Sequence, residues 1–262
     1  VRRRESEKTS AFLKRPIRRL LHATLDIVLV PRCVGCRSAV DRQGDLCPEC
    51  WMKLNFIEGA VCSVCGYPIE IDPGYDVLCG ACVRRRPSYA RARAALLYDD
   101  ASRDLVLAFK HGDRPELAAT FGTWMIRCGA DLLGRCDVVI PVPLHWRRLF
   151  KRRYNQAALL ARSVASTRRD VAVLPDALRR LRNDPSQSGR SAAARHDNVR
   201  SAFDVSPRAT HDLRNSRALI VDDVFTTGAT AEACARTLMA VDVAEVSVLT
   251  LGRVVRGNSD SI

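Results

Sequence analysis

Two groups of residues in this chain have the types and spacing to do chemistry. Eight cysteines stand in four Cys-x-x-Cys turns, Cys33 and Cys36, Cys47 and Cys50, Cys62 and Cys65, Cys79 and Cys82. Each such turn aims two thiolates at one point, and two turns complete the four-coordinate shell that Zn²⁺ prefers. Gaps of ten and thirteen residues leave room for a short hairpin in each unit. The spacing therefore predicts one ion on Cys33, Cys36, Cys47 and Cys50 and a second on Cys62, Cys65, Cys79 and Cys82, although an interleaved pairing fits the same spacing. Four thiolates per ion leave no open position, so both sites read as structural. Disulfides are the rival framework and belong to oxidising compartments. Cys128, Cys136 and Cys234 lie scattered in apolar contexts and read as buried, inert thiols.

The second group runs Arg217-Ala-Leu-Ile-Val-Asp-Asp-Val-Phe-Thr-Thr-Gly-Ala-Thr230, a buried strand that ends in two acids, then a small-residue loop and a helix start. Ligands in open α/β sheets bind at such strand ends. Backbone amides of Thr226, Thr227, Gly228, Ala229 and Thr230 can enclose a phosphate at a helix N-terminus, and the three hydroxyls add donors. Asp222 and Asp223 cannot serve the same anion. They fit sugar hydroxyls, which donate to them, or a divalent cation. A Walker loop is excluded, because Gly-Lys-Ser/Thr is absent from this stretch.

The elements that must position these groups follow from periodicity. Apolar runs at Ala92 to Tyr98 and Val138 to Pro141 alternate with helical patterns over Leu105 to Leu133, around a turn at His111 to Pro115, and over Asn155 to Thr167. Ser201 to Val205, a strand at Arg217 to Val221, a helix at Thr230 to Val241 and a last strand at Glu245 to Leu251 complete a βα rhythm. The expected fold is α/β, an open, mostly parallel sheet covered by helices, with a small N-terminal cysteine module. Arg84-Arg85-Arg86-Pro87 reads as the linker. The expected division is a basic tail and amphipathic helix over 1–30, the double cysteine unit over 31–87 and the α/β domain over 88–262. The stretch from Arg179 to Arg200 lacks periodicity and reads as a mobile loop.

Charge is uneven over the 262 residues and totals +13. Val1 to Leu20 holds eight basic and two acidic residues, and His145 to Arg200 holds fourteen and four. A local basic field attracts phosphates on a nucleotide, a sugar diphosphate or a nucleic acid. At 47% hydrophobic the chain can bury a core, which excludes a disordered polypeptide. No apolar run reaches the roughly 18 residues needed to span a bilayer. The basic start lacks a signal-peptide cleavage pattern, and Ile17, Leu21, Leu25 and Val28 fall at helical spacing, so a cytoplasmic protein is expected.

The Asp-Asp-x-x-Thr-Thr-Gly-Ala-Thr stretch resembles the signature of the type I phosphoribosyltransferases, which implies acids on the ribose of phosphoribosyl pyrophosphate (PRPP) and a loop on its 5′-phosphate. Val139-Ile-Pro-Val-Pro-Leu-His-Trp-Arg-Arg148, Arg152-Arg-Tyr-Asn-Gln156, Gln187, Arg195, Asn198 and Ser201-Ala-Phe203, together with the cysteine module, resemble the ComF (GntX-like) family. The resemblance spans about Pro31 to Arg253. Arg153 stands where the family usually has Gly, and Asp184 and Arg190 replace its usual Thr and Leu.

The resemblance implies two structural zinc ions, Mg²⁺ bound with PRPP, and Asp222, Asp223, Arg147 and Arg148 as catalytic residues. Arg147 and Arg148, with Lys151, Arg152, Tyr154, Asn155 and Gln156, are candidates for handling the pyrophosphate, and Gln187, Arg195 and Asn198 for a lid. His111 and His145 read as ordinary hydrogen-bonded histidines.

Two functions from different classes follow. One is a PRPP-dependent phosphoribosyltransferase acting on a nitrogen acceptor that no motif identifies. The other is a single-stranded DNA-binding accessory of competence and DNA uptake, in which PRPP is regulatory or vestigial. The cysteine module also offers a docking surface for a protein partner.

Overall fold

The computed structural model describes residues 30–72, 74–111, 114–145, 154–181 and 202–255. The expected amphipathic helix at 1–30 lies outside them, as does the body of the Arg179 to Arg200 loop. The chain divides after Trp51 into two compact units, so the first cysteine cluster belongs to the smaller unit and the second to the larger.

In the smaller unit, Arg32 bridges Ala39 around the Cys33 turn, and helix α1, Pro48–Met52, carries Cys50. In the larger unit, Val61 bridges Pro68 around the Cys62 turn, and α2, Gly80–Arg84, carries Cys82. The repeat seen in sequence is thus a repeat of hairpin and short helix.

Strands β1 (Arg91–Leu97), β2 (Val138–Pro141) and β3 (Ala172–Val173) precede an antiparallel ribbon of β4 (Leu178–Arg180) and β5 (Phe203–Val205); β6 (Arg217–Phe225) and β7 (Glu245–Arg253) follow. The five main strands form one parallel sheet in the order β1-β7-β6-β2-β3. Leu219, Ile220 and Val221 of central β6 are fully buried, as expected of a strand covered on both faces. Helices α3 (Asp100–His111), α4 (Leu117–Cys128), α5 (Ala130–Leu133), α6 (Gln156–Ala165), α7 (Thr210–Leu213) and α8 (Ala229–Met239) complete the fold. The fold is the α/β open sheet expected from the sequence.

Helix α3 starts on a reciprocal cap: the Ser102 amide donates to Asp99 Oδ1 at 3.0 Å, and the Asp99 amide donates to Ser102 Oγ at 3.1 Å. Its far end is buried through Phe109, which meets Phe121 of α4 edge-on at 5.3 Å. That fixes where its last turn, with Lys110, emerges.

Two expectations change. Strand β6 runs past Val221 to Phe225, because β7 keeps pairing with it, Asp222 opposite Thr250 and Phe225 opposite Arg253. Both acids therefore sit within the strand rather than after it. Ser201 to Val205 yields β5, which pairs with β4 outside the main sheet, so Arg179 and Arg180 lie in a strand rather than in a loop.

Candidate functional site

The chain leaves β2 toward β3 on one side and leaves β6 through α8 toward β7 on the other. The boundary between β2 and β6 is therefore the switch point of the sheet, where the loops at the strand ends diverge and leave a crevice. A shallow cleft lies over the end of β6, lined by Val142 just beyond β2, by Asp222, Thr226, Gly228 and Thr230, and by Thr250 of β7.

Asp222 and Asp223 point different ways because neighbours on a strand alternate. Asp222 lines the cleft, and its Oδ1 accepts the Asp223 amide at 2.8 Å. Burial, and then the charge of Asp223, push the Asp222 carboxyl up to about 7, with Lys110 and Arg180 opposing. Lys110 Nζ lies 3.0 Å from Asp223 Oδ1.

Three consecutive side chains hold the segments around this pair. Tyr154 Oη donates to Phe109 O at 2.7 Å, and Gln156 Nε2, on a residue 1% exposed, donates to Lys110 O at 3.0 Å. Asn155 caps α6 by accepting from the Ala157 amide at 3.0 Å, and its Nδ2 donates to Val142 O at 3.1 Å. The Tyr-Asn-Gln run thus grips main-chain carbonyls at the end of α3 and just beyond β2.

The loop after β6 turns at Gly228, whose φ of +79° is left-handed. A Cβ there would stand 2.8 Å from Phe225 Cζ, so space as well as conformation calls for glycine. The turn delivers the chain into α8, whose first ladder bond beyond the loop joins the Glu232 amide to Gly228 O. Ahead of it, the amides of Thr226, Thr227, Gly228 and Thr230 form no hydrogen bond among the described residues. Bare amides at a helix N-terminus make an anion site.

The cysteines form two groups, Cys33, Cys36, Cys47 and Cys50, and Cys62, Cys65, Cys79 and Cys82; in each, the sulfur atoms lie within 4.8 Å of one another. The pairing is sequential. Cys36 Sγ and Cys47 Sγ are 3.5 Å apart, as are Cys65 Sγ and Cys79 Sγ. A tetrahedral shell with Zn–S of about 2.3 Å calls for about 3.8 Å. None of the eleven cysteines forms a disulfide.

Without a cation the thiols of each group compete for protons. Hydrogen bonds from Ser38 draw Cys36 down to about 6, while burial and its cysteine neighbours push Cys50 up to about 12. In the second group burial raises Cys62, but amides of Cys79, Cys65 and Val64 outweigh it and bring the thiol to about 7. Burial pushes Cys65 up to about 11. Such a donor set fits a thiolate-binding divalent ion with no vacant position.

The structure brings Asp222, Thr226, Gly228 and Thr230 together at one cleft, with Thr227 and Ala229 in the same loop, Asp223 beside Asp222 on the strand, and Tyr154, Asn155 and Gln156 holding the neighbouring segments. Arg147, Arg148, Lys151, Arg152, Gln187, Arg195 and Asn198 lie outside the described residues. His145 is buried, and so are Cys136 and Cys234; Cys128 is half-buried. Three residues that sequence reasoning misses adjoin the site: Lys110, Arg180 and Arg253. For Lys110 a signal exists, since the chain has five lysines against thirty-seven arginines and retains lysine here.

Residues 24–83 match the double zinc ribbon domain, and residues 156–259 match the phosphoribosyl transferase domain. Competence protein F of Haemophilus influenzae is 28% identical over 228 residues, 85% of this chain and 96% of that protein. These likenesses bear out the resemblance to the ComF family. DNA utilization protein YhgH of Salmonella typhi is 29% identical over 79% of this chain and 96% of that protein. Competence protein ComFC of Bacillus subtilis is 26% identical over 79% of this chain and 84% of that protein. Both domain types that the resemblance implies are thus matched, and the two cysteine groups fall in the double zinc ribbon as its two metal sites. Among the described residues no helix is long and apolar enough to cross a membrane.

Proposed function

We propose that this protein binds PRPP in the cleft at the end of β6 and transfers its ribose 5-phosphate to a nitrogen acceptor, releasing diphosphate. One observation carries the reading: an acid pair inside β6 is followed at once by a left-handed glycine and a loop of bare amides. An anion site and hydroxyl acceptors a few residues apart suit a sugar phosphate and little else.

In this reading the amides of Thr226 to Thr230 hold the 5′-phosphate. Asp222, once ionised, accepts from a ribose hydroxyl, and Asp223 does so after exchanging Lys110 for the ligand. The acceptor nitrogen then forms a bond to the anomeric carbon as the bond to the diphosphate oxygen breaks. The electron pair leaves with the diphosphate, and the acceptor loses its proton to solvent. Arg147, Arg148, Lys151 and Arg152 follow β2 in sequence and supply positive charge to the departing group, and Gln187, Arg195 and Asn198 are further candidates to contact it. The carboxylate oxygens suit a hard cation, and Mg²⁺ bound with the ligand supplies further charge neutralisation.

Titration of PRPP with Mg²⁺ into the full chain by calorimetry tests the reading. Binding that disappears in the Asp222→Asn/Asp223→Asn double variant supports it, and absence of binding by zinc-loaded wild type refutes it. A second reading draws on the relatives' names and on Arg84, Arg85 and Arg86, exposed side by side at the end of α2 and just past it: single-stranded DNA bound through phosphate contacts. Affinity for an oligonucleotide that falls steeply with salt and is untouched by Asp222→Asn distinguishes it.

A further inference from the structure

Arg253, the last residue of β7, is 6% exposed and forms no ion pair with a carboxylate among the described residues. Its Nη1 donates to Cys65 O at 2.6 Å, and its Nη2 lies 3.7 Å from Cys65 Sγ. The guanidinium is stacked 4.5 Å from the centre of the Phe225 ring and 5.4 Å from that of Tyr67. Its Nε is buried without a hydrogen-bond partner.

A buried cation needs an anion nearby, because losing its hydration costs several kcal/mol. The anion on hand is the Cys65 sulfur, which zinc would hold as a thiolate. Four thiolates around one Zn²⁺ carry a net charge of about −2, which suits an arginine with no carboxylate. The other face of the contact leads to the cleft. Phe225 sits opposite Arg253 in the sheet register, and its ring packs beneath Gly228, close enough that a Cβ on Gly228 would meet it at 2.8 Å. Tyr89 closes the same ring edge-on at 6.2 Å.

We propose that the second zinc ribbon is part of the phosphate loop's support, and that Arg253 is the positioning residue linking them: the zinc–thiolate shell of Cys62, Cys65, Cys79 and Cys82 balances and orients its guanidinium, which fixes Phe225 and with it the turn at Gly228. The consequence for ligand affinity rests on the PRPP reading above. The mechanical link does not, and it can be read without ligand.

The experiment uses the full, zinc-loaded chain and the variants Arg253→Met, Arg253→Lys and Phe225→Leu. Three quantities are measured: zinc content, hydrogen exchange of the Glu232 and Val254 amides, which donate to Gly228 O and Phe225 O and so report on the loop, and PRPP binding with Mg²⁺. Arg253→Met is expected to keep two zinc equivalents while these two amides exchange at least tenfold faster and its PRPP affinity drops about tenfold. Arg253→Lys keeps the charge without the planar stack and restores only part of the protection. If Arg253→Met loses zinc or fails to fold, Phe225→Leu makes the same test away from the thiols. Unchanged loop exchange in a variant that retains both zinc equivalents overturns the link.

Coupling is reciprocal, so PRPP with Mg²⁺ must slow chelator-driven zinc loss from the second cluster and leave the first unaffected. Equal rates with and without PRPP, in a chain that binds it, also overturn the proposal. Faster loop exchange in the variants of a wild type that binds no PRPP sinks the PRPP reading and leaves the link standing.

Discussion

Lys110 Nζ and Asp223 Oδ1 are 3.0 Å apart, joining the last turn of α3 to the acid pair in β6. Their side chains are 17% and 16% exposed, so the pair is partly desolvated. Lys110 is the near cation opposing the mutual repulsion of Asp222 and Asp223, and Arg180 acts on Asp222 as well. Lys110→Met removes that charge and leaves the acids to relieve their repulsion by protonation. The variant should lose on the order of 1–2 kcal/mol of stability, well below the value for a fully buried pair broken on one side. Thermal unfolding should show a larger loss at pH 8 than at pH 5, where the proton replaces the missing lysine. An equal loss at both values would show that the pair is not coupled to the acids' charge.

The Asp222 carboxyl gives a second pH signature. Folded, it keeps its proton up to about pH 7, whereas the unfolded group releases it near its ordinary value of 3.8. Between those values the folded state binds more protons, so this group's contribution to stability falls as pH rises and is fully lost above the folded value. Asp222→Asn cannot ionise and should abolish that slope. It should be more stable than wild type at pH 8 by on the order of 2 kcal/mol, and nearly equal to it at pH 4. Denaturant midpoints at both values check this. The same variant should fail to bind PRPP, so the site trades stability for function.

Tyr154, Asn155 and Gln156 hold the frame of the site through main-chain carbonyls. Gln156→Met leaves the buried Lys110 carbonyl without this donor and should cost about 1–3 kcal/mol, whereas Tyr154→Phe should cost about 1 kcal/mol. A cycle combining Gln156→Met with Lys110→Met should be non-additive by at least 0.5 kcal/mol or so, because Gln156 positions the lysine it no longer holds. Additivity would mean that the two residues act separately.

What is legible in sequence and what is not divides along the range of the interactions. The cysteine turns and the Asp-Asp to Thr-Thr-Gly-Ala-Thr stretch are legible because neighbouring residues build each feature, with Gly228 turning the chain that Asp222 and Asp223 have just left. The order of the sheet is not, since parallel strands give no local sign of which neighbour they take. Pairing also decides where β6 ends: the partnership of Phe225 with Arg253 carries the strand past Val221. Lys110 escapes notice because its partner is remote in sequence and its helix reads as an ordinary amphipathic one. The Tyr-Asn-Gln run shows the converse case. Its residues are conspicuous in sequence, but the carbonyls they serve can be identified only once Phe109, Lys110 and Val142 have been brought beside them.

The two zinc ribbons should differ in what their metal supports. Cys62, Val64, Cys65 and Cys82 are buried in one continuous cluster with Ile140, Ile220 and Val248 of the sheet. The first cluster, by contrast, belongs to the separate smaller unit. Structural zinc contributes about 10–16 kcal/mol of apparent binding energy in small zinc domains, and losing it also leaves buried thiols to compete for protons. Cys82→Ser should therefore lower the main unfolding transition by on the order of 10 °C, as expected for a loss of several kcal/mol in a domain of this size. Cys50→Ser should leave that transition within about 2 °C of wild type. Each variant should lose one of the two zinc equivalents, because each group is built from consecutive turns. Calorimetric scans with elemental analysis of the same samples decide the matter. Equal shifts in the two variants would mean that the sheet leans on both metals alike, and loss of both equivalents from a single substitution would mean that the ribbons fold as one unit.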